Sequence, residues 1–146
     1  MSRPTWHETW FDVCEVFARR STCWKKQTAA AIVSSDNRLI SIGYNGVASG
    51  ELHCCDLSPD PNYHREWSKA NEIHAEMNAI LHCKYSLHGT TLYTILSPCI
   101  ECAKAIYVSG INTVYYKTYY KPEGIGYLLL RGVVVLPKPP SDLSVS

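Results

Sequence analysis

Three metal-ligand side chains, His74, Cys99 and Cys102, constrain this chain more than any other feature, because they lie on two segments that each read as the start of a helix. An imidazole and two thiols are good zinc ligands, and a C-x-x-C pair at a helix start can place both sulfurs on one metal. The unpaired backbone N–H groups and the macrodipole at such a start also favour thiolates. Three protein ligands leave the fourth tetrahedral position open for water, whereas a structural zinc site normally has four. Glu76, two residues after His74, then reads as a proton carrier beside the metal and not as a ligand.

Length and composition narrow the setting. At 146 residues, 46% hydrophobic and 18% charged, the chain reads as one folded domain over 1–146, its last residues (about 137–146) a loose tail rich in proline and serine. Seven cysteines is a high count. No apolar h-region follows Met1, so metal ligation by reduced thiols is favoured over a disulfide framework and the expected location is cytoplasmic. No apolar run is long enough to span a bilayer. A net charge of +1 supplies no basic field for a polynucleotide, so neither membrane nor nucleic acid is an expected partner.

Periodicity gives the order of elements. Trp6, Trp10, Val13, Cys14 and Phe17 recur at helical spacing and predict a first helix ending near Arg19-Arg20. Ala30–Ser34 and Arg38–Tyr44 predict a β-hairpin. Gly46 to about Lys69 is an aperiodic loop. Asn71–Cys83 predicts a helix with Ile73, Met77, Ile80 and Leu81 on one side, and Thr91–Leu96 a strand. Pro98 suits the first turn of a helix running to about Ser109, which Gly110 ends. Thr113–Lys117, Ile125–Arg131 and Val133–Leu136 predict a strand, a short helix and a last strand. Two opening strands followed by alternating helix and strand suggest a mixed sheet with helices on both faces. Cys14 and Cys83 read as small buried hydrophobes, His82 and His88 as surface residues.

His74-Ala75-Glu76 followed roughly twenty residues later by Pro98-Cys99-Ile100-Glu101-Cys102 forms the H-x-E and P-C-x-x-C signature of zinc-dependent nucleobase deaminases. Zinc there would lower the pKa of its water toward neutrality. Glu76 would give a proton to N3 of a cytosine ring, take one as oxygen attacks C4, and protonate the exocyclic amine that leaves as ammonia. Two rivals share parts of the pattern. A zinc knuckle needs only the ligands, with Glu76 a solvated helix residue. A deaminase editing tRNA or single-stranded DNA shares the site but wants a basic, aromatic-lined channel.

The chain resembles the deoxycytidylate (dCMP) deaminases of bacterial and phage type. Gly43-Tyr44-Asn45-Gly46, Cys54-Cys55-Asp56, the run from Asn71 to Ile80 and the run from Leu96 to Lys104 carry the resemblance. It implies a three-layer α/β/α cytidine deaminase-like fold with a mixed sheet of about five strands. It also implies conversion of dCMP to dUMP for thymidylate synthesis, in a homohexamer activated by dCTP and inhibited by dTTP, with Mg2+ accompanying the triphosphate. By resemblance, Gly43, Tyr44, Asn45 and Gly46 lie near the regulatory nucleotide, the two glycines letting backbone approach it closely. Asn45 is similar to the asparagine that hydrogen-bonds the deoxyribose, and Ala75 belongs to the substrate pocket. Tyr120 stands where an aromatic residue meets the nucleotide, in competition with Tyr115, Tyr116 and Tyr119. Lys26, with Lys25 and Gln27, is a candidate for the 5′-phosphate. Some phage members carry a second, structural zinc, whose ligands would fall on Cys23, Cys54, His64 and Glu72, with Cys55 an alternative. Thr28-Ala29-Ala30 departs from the Val-Gly-Ala of many relatives, a change expected to be tolerated.

Overall fold

The computed structural model describes residues 2–21, 27–46 and 71–138. The first helix, α1 (Trp6–Ala18), starts on a capping box: Thr5 Oγ1 accepts from the Glu8 N–H at 3.1 Å, and the Glu8 carboxylate accepts from the Thr5 N–H at 3.2 Å. Trp10, Cys14 and Ala18, spaced four apart, are its buried stripe. The strands β1 (Ala29–Val33) and β2 (Leu39–Tyr44) form the antiparallel hairpin expected from the sequence.

Five strands make one mixed sheet in the order β2-β1-β3-β4-β5, with β3 at Thr91–Leu96, β4 at Thr113–Thr118 and β5 at Val134–Leu136. β1 is antiparallel to β2 and β3; β3, β4 and β5 run parallel. Parallel neighbours need crossover connections. Here they are the helices α3 (Ile100–Ser109) and α4 (Pro122–Leu130), while α2 (Ala75–His82) precedes β3. Every residue of β1 is buried because both its faces are covered. Ala29, Ala31 and Val33 meet α1 and Tyr93 on one face. Ala30 and Ile32 join Leu92, Val114, α2, α3 and α4 on the other. The expected three-layer α/β/α architecture is thus observed among the described residues, one helix on one face and three on the other.

Four expectations change in detail. The helix predicted over Asn71–Cys83 begins at Ala75, because Ile73 and Gly46 exchange backbone hydrogen bonds (2.6 and 3.1 Å) and hold the chain extended just before His74. Its buried residues are Ala75, Glu76 and Ala79, while Leu81 is 68% exposed. The cause is close packing: a Cβ on Gly43 would lie 2.5 Å from both the Ala75 carbonyl oxygen and the Ala79 amide nitrogen. Only small residues fit so near β2. Finally, α4 starts at Pro122 instead of Ile125, and Pro98 lies just before the Cys99 N-cap instead of inside the first turn. Among the described residues no helix is long and apolar enough to cross a membrane.

One rim of the sheet collects polar residues from four strand ends. The antiparallel β1 enters the sheet where β2 and β3 leave it, and β4 leaves beside β3. Thr28, Asn45, Ser97 and Tyr120 therefore gather at the same end, each within two residues of a strand terminus.

Candidate active site

His74 is the N-cap of α2 and Cys99 the N-cap of α3, and neither side chain caps its helix. Both instead turn toward the neighbouring helix start. His74 Nδ1 lies 3.4 Å from Cys99 Sγ and 3.4 Å from Cys102 Sγ. With zinc–sulfur bonds of about 2.3 Å and zinc–nitrogen bonds of about 2.0–2.1 Å, a tetrahedral ion would separate nitrogen and sulfur by about 3.6 Å. The three ligand atoms, all within 4.8 Å of one another, fit that requirement. They form the one such group of metal-binding side chains among the described residues.

Charge follows geometry. The Cys99 thiol is lowered to about 3, first by the hydrogen bond from Cys102 and then by His74, against the opposing effect of burial. That same bond, together with burial, pushes Cys102 up. A divalent cation bound between the two sulfurs would favour both as thiolates. Glu76, in the first turn of α2 and 6% exposed, is pushed up to about 7, chiefly by removal of its carboxyl from water. A carboxyl poised there can both accept and donate near neutrality.

Glu76, His74 and Cys99 share an open cleft of about 360 Å³ with Thr28, Asn45, Leu96, Ser97 and Tyr120. Asn45 is held on several sides. Its Nδ2 donates to Glu72 Oε2 at 3.2 Å, its N–H donates to the Thr28 carbonyl at 3.1 Å, and its own carbonyl accepts from Ser21 Oγ at 2.6 Å. Ser97 Oγ accepts from the Tyr120 N–H at 2.8 Å, which fixes the aromatic residue at the cleft mouth. Lys121 Nζ sits 5.2 Å from the Tyr120 ring centroid.

The expected site residues fall into distinct groups. His74, Glu76, Cys99, Cys102, Asn45 and Tyr120 come together. Of the four competing tyrosines, Tyr115 stacks on Tyr93 at 4.9 Å on the α1 face, and Tyr116 and Tyr119 pack with the opposite core. Ala75 is fully buried and its methyl does not line the cleft; its backbone N–H, first in α2, has no partner within that helix. The room that Gly43 was expected to give a nucleotide is taken by the backbone of α2. Tyr44 packs against the α1-side cluster, and Gly46 pairs with Ile73. Glu72 holds Asn45. Cys23, Lys26, Cys54 and His64, with Lys25 and Cys55, lie outside the described residues.

Sequence reasoning missed the roles of Ser97 and Gly124. A Cβ on Gly124 would overlap the Pro98 carbonyl oxygen and lie 2.9 Å from the Cys99 carbonyl carbon. Glycine therefore lets the start of α4 press on the turn that carries a metal ligand.

Residues 4–118 match the family described as the cytidine and deoxycytidylate deaminase zinc-binding region. ComE operon protein 2 of Bacillus subtilis is 41% identical over 127 residues, covering 83% of this chain and 64% of its own length. The chain thus spans less than two thirds of that relative. Deoxycytidylate deaminase of Enterobacteria phage T4 is 32% identical over 179 residues, covering 93% of this chain and 91% of its own. Among solved structures, dCMP deaminase of the cyanophage S-TIM5, in complex with dCMP and dUMP, superposes with a TM-score of 0.74 at 30% identity. That match covers 92% of this chain and 98% of the cyanophage chain.

Proposed function

The chain belongs to the family of zinc-binding cytidine and deoxycytidylate deaminases, and on that footing we propose that it hydrolyses dCMP to dUMP and ammonia. One observation carries the reading: a buried carboxyl, Glu76, stands beside a His-Cys-Cys group of zinc-like dimensions in a cleft rimmed by Asn45 and Tyr120. Bound zinc would supply a water molecule whose pKa is lowered toward neutrality. Glu76 moves that water's proton to N3 of the pyrimidine as the oxygen adds at C4. A second proton passes from the same oxygen through Glu76 to the exocyclic amine, the C4–N4 bond breaks, and ammonia leaves. Asn45, held by Glu72, orients the deoxyribose, and Tyr120 packs against the nucleotide. The 5′-phosphate falls to Lys26 and its neighbours.

Ammonia release from dCMP, deoxycytidine and a cytosine-containing oligonucleotide tests this. The expected preference for dCMP is at least about a hundredfold in kcat/KM, since a site built to hydrogen-bond a polar group rejects substrates lacking it. Turnover of the oligonucleotide alone would replace this reading with polynucleotide editing.

The proposal extends to supply of dUMP for thymidylate synthesis in the cytoplasm, by a homohexamer that dCTP with Mg2+ activates and dTTP inhibits. Its support is the resemblance through the segment from Gly43 to Gly46 and the Gly46–Ile73 bridge, which leads straight into His74. Repeating the substrate assay with both triphosphates tests it. A second zinc on Cys23, Cys54, His64 and Glu72 is likewise proposed by resemblance. Metal analysis should give two zinc per chain, falling to one in Cys54→Ser; one zinc in both proteins would end the idea.

A further inference from the structure

The Thr28 hydroxyl is buried and finds no hydrogen-bond partner among the described residues, in a residue only 7% exposed. It lines the cleft that holds Glu76. The backbone is not the reason, since the Thr28 carbonyl accepts from the Asn45 N–H at 3.1 Å. An unpaired buried hydroxyl is destabilising, and valine would fill the same volume without that burden. Among the polar residues lining the cleft, Thr28 stands apart in this respect. Its neighbours Ser97 and Asn45 are both engaged, through Tyr120 and Glu72.

We propose that Thr28, which stands where many relatives carry valine, adds a contact particular to this chain: its hydroxyl hydrogen-bonds the sugar or base of the bound nucleotide. The inference rests on the reading of the chain as a dCMP deaminase. A hydroxyl can donate or accept, which suits either a deoxyribose hydroxyl or a polar edge of the pyrimidine. The γ-oxygen and γ-methyl of threonine are close in size, so a change from one staggered χ1 well to another can turn the hydroxyl from wall to cleft as a ligand enters. Thr28 lies beside the backbone of Asn45 at the strand rim, so the two residues act as adjacent recognition groups. Its place is in binding, with the proton transfers left to Glu76.

Thr28→Val tests the idea, because it should stabilise the free protein while weakening the substrate. The free variant is expected to melt about 2–4 °C higher. Its KM for dCMP should rise about tenfold, the loss of one hydrogen bond, with a smaller change in kcat. Thr28→Ser, which keeps the hydroxyl, should hold KM within about threefold of the wild type. Repeating the pair with 2′,3′-dideoxy-CMP separates the two partners. A penalty that vanishes there assigns the bond to the 3′-hydroxyl; a penalty that persists assigns it to the base. An unchanged KM in Thr28→Val overturns the inference, as does an equal rise in Thr28→Ser, which would mark a packing role. Wild type inert on dCMP would overturn the underlying reading as well, a result seen before any variant is made.

Discussion

Replacing Glu76 by glutamine is expected to lower kcat on dCMP by about 10²–10⁴-fold, the range lost with a general acid–base group. Glutamine keeps the shape and the burial of the side chain, so the core around Ala75 and Ala79 is undisturbed. What it loses is the ability to carry a proton from water to ring and from oxygen to amine. Glu76 lies outside the ligand group of His74, Cys99 and Cys102, so zinc content should stay at the wild-type value. The two measurements together decide the role: kcat on dCMP, and zinc per chain by atomic emission. A kcat within tenfold of wild type, with zinc intact, would falsify the shuttle. Loss of zinc would show that Glu76 supports the metal and not the proton.

Gly124→Ala should damage the same site from the opposite side. In an ordinary helix the change would stabilise by about 1 kcal/mol, since alanine has the higher helix propensity. Here the new methyl would lie 2.8 Å from the Pro98 carbonyl carbon and overlap its oxygen. Both obstacles are backbone, and Pro98 is fully buried, so α4 or the ligand turn must move. Overpacking of this kind costs about 1–3 kcal/mol, which exceeds the propensity gain. A shift of about 1 Å at the Cys99 turn is enough for roughly a hundredfold loss of activity. Expected results are at least tenfold weaker zinc binding in a chelator competition and an altered sulfur-to-metal charge-transfer band in the cobalt-substituted protein. Urea unfolding should show the destabilisation. A variant with wild-type zinc affinity and spectrum would reduce Gly124 to a packing residue with no bearing on the metal.

The metal group and its carboxyl are legible in the sequence because their chemistry is local: H-x-E and C-x-x-C each fit within one turn of helix. The hairpin and the order of strands are legible for the same reason, from alternation and turn residues. The start of α2 is not, because a long-range bridge between Gly46 and Ile73 competes with the helical preference of 71–74. Nor is its buried face. Periodicity favours Ile73, Met77, Ile80 and Leu81, whereas the backbone contact at Gly43 selects alanines. Tyr120 separates from Tyr115, Tyr116 and Tyr119 only once the end of β4 at Thr118 is known, since the strand sends Tyr115 and Tyr116 to opposite faces. Gly124 carries no readable signal at all, its meaning residing wholly in a contact with a turn some twenty-six positions earlier.

The gathering of Thr28, Asn45, Ser97 and Tyr120 at one rim, apart from the two helix starts that bear the ligands, makes this scaffold unequally evolvable. A change of chemistry would require α2 and α3 to move together, against cores packed tightly enough to admit only glycine and alanine at their closest points. On the proposed function, a change of substrate requires only single replacements just beyond strand ends, where the sheet register is already set. New specificities are therefore reachable by short mutational paths, while the reaction itself is inherited almost intact.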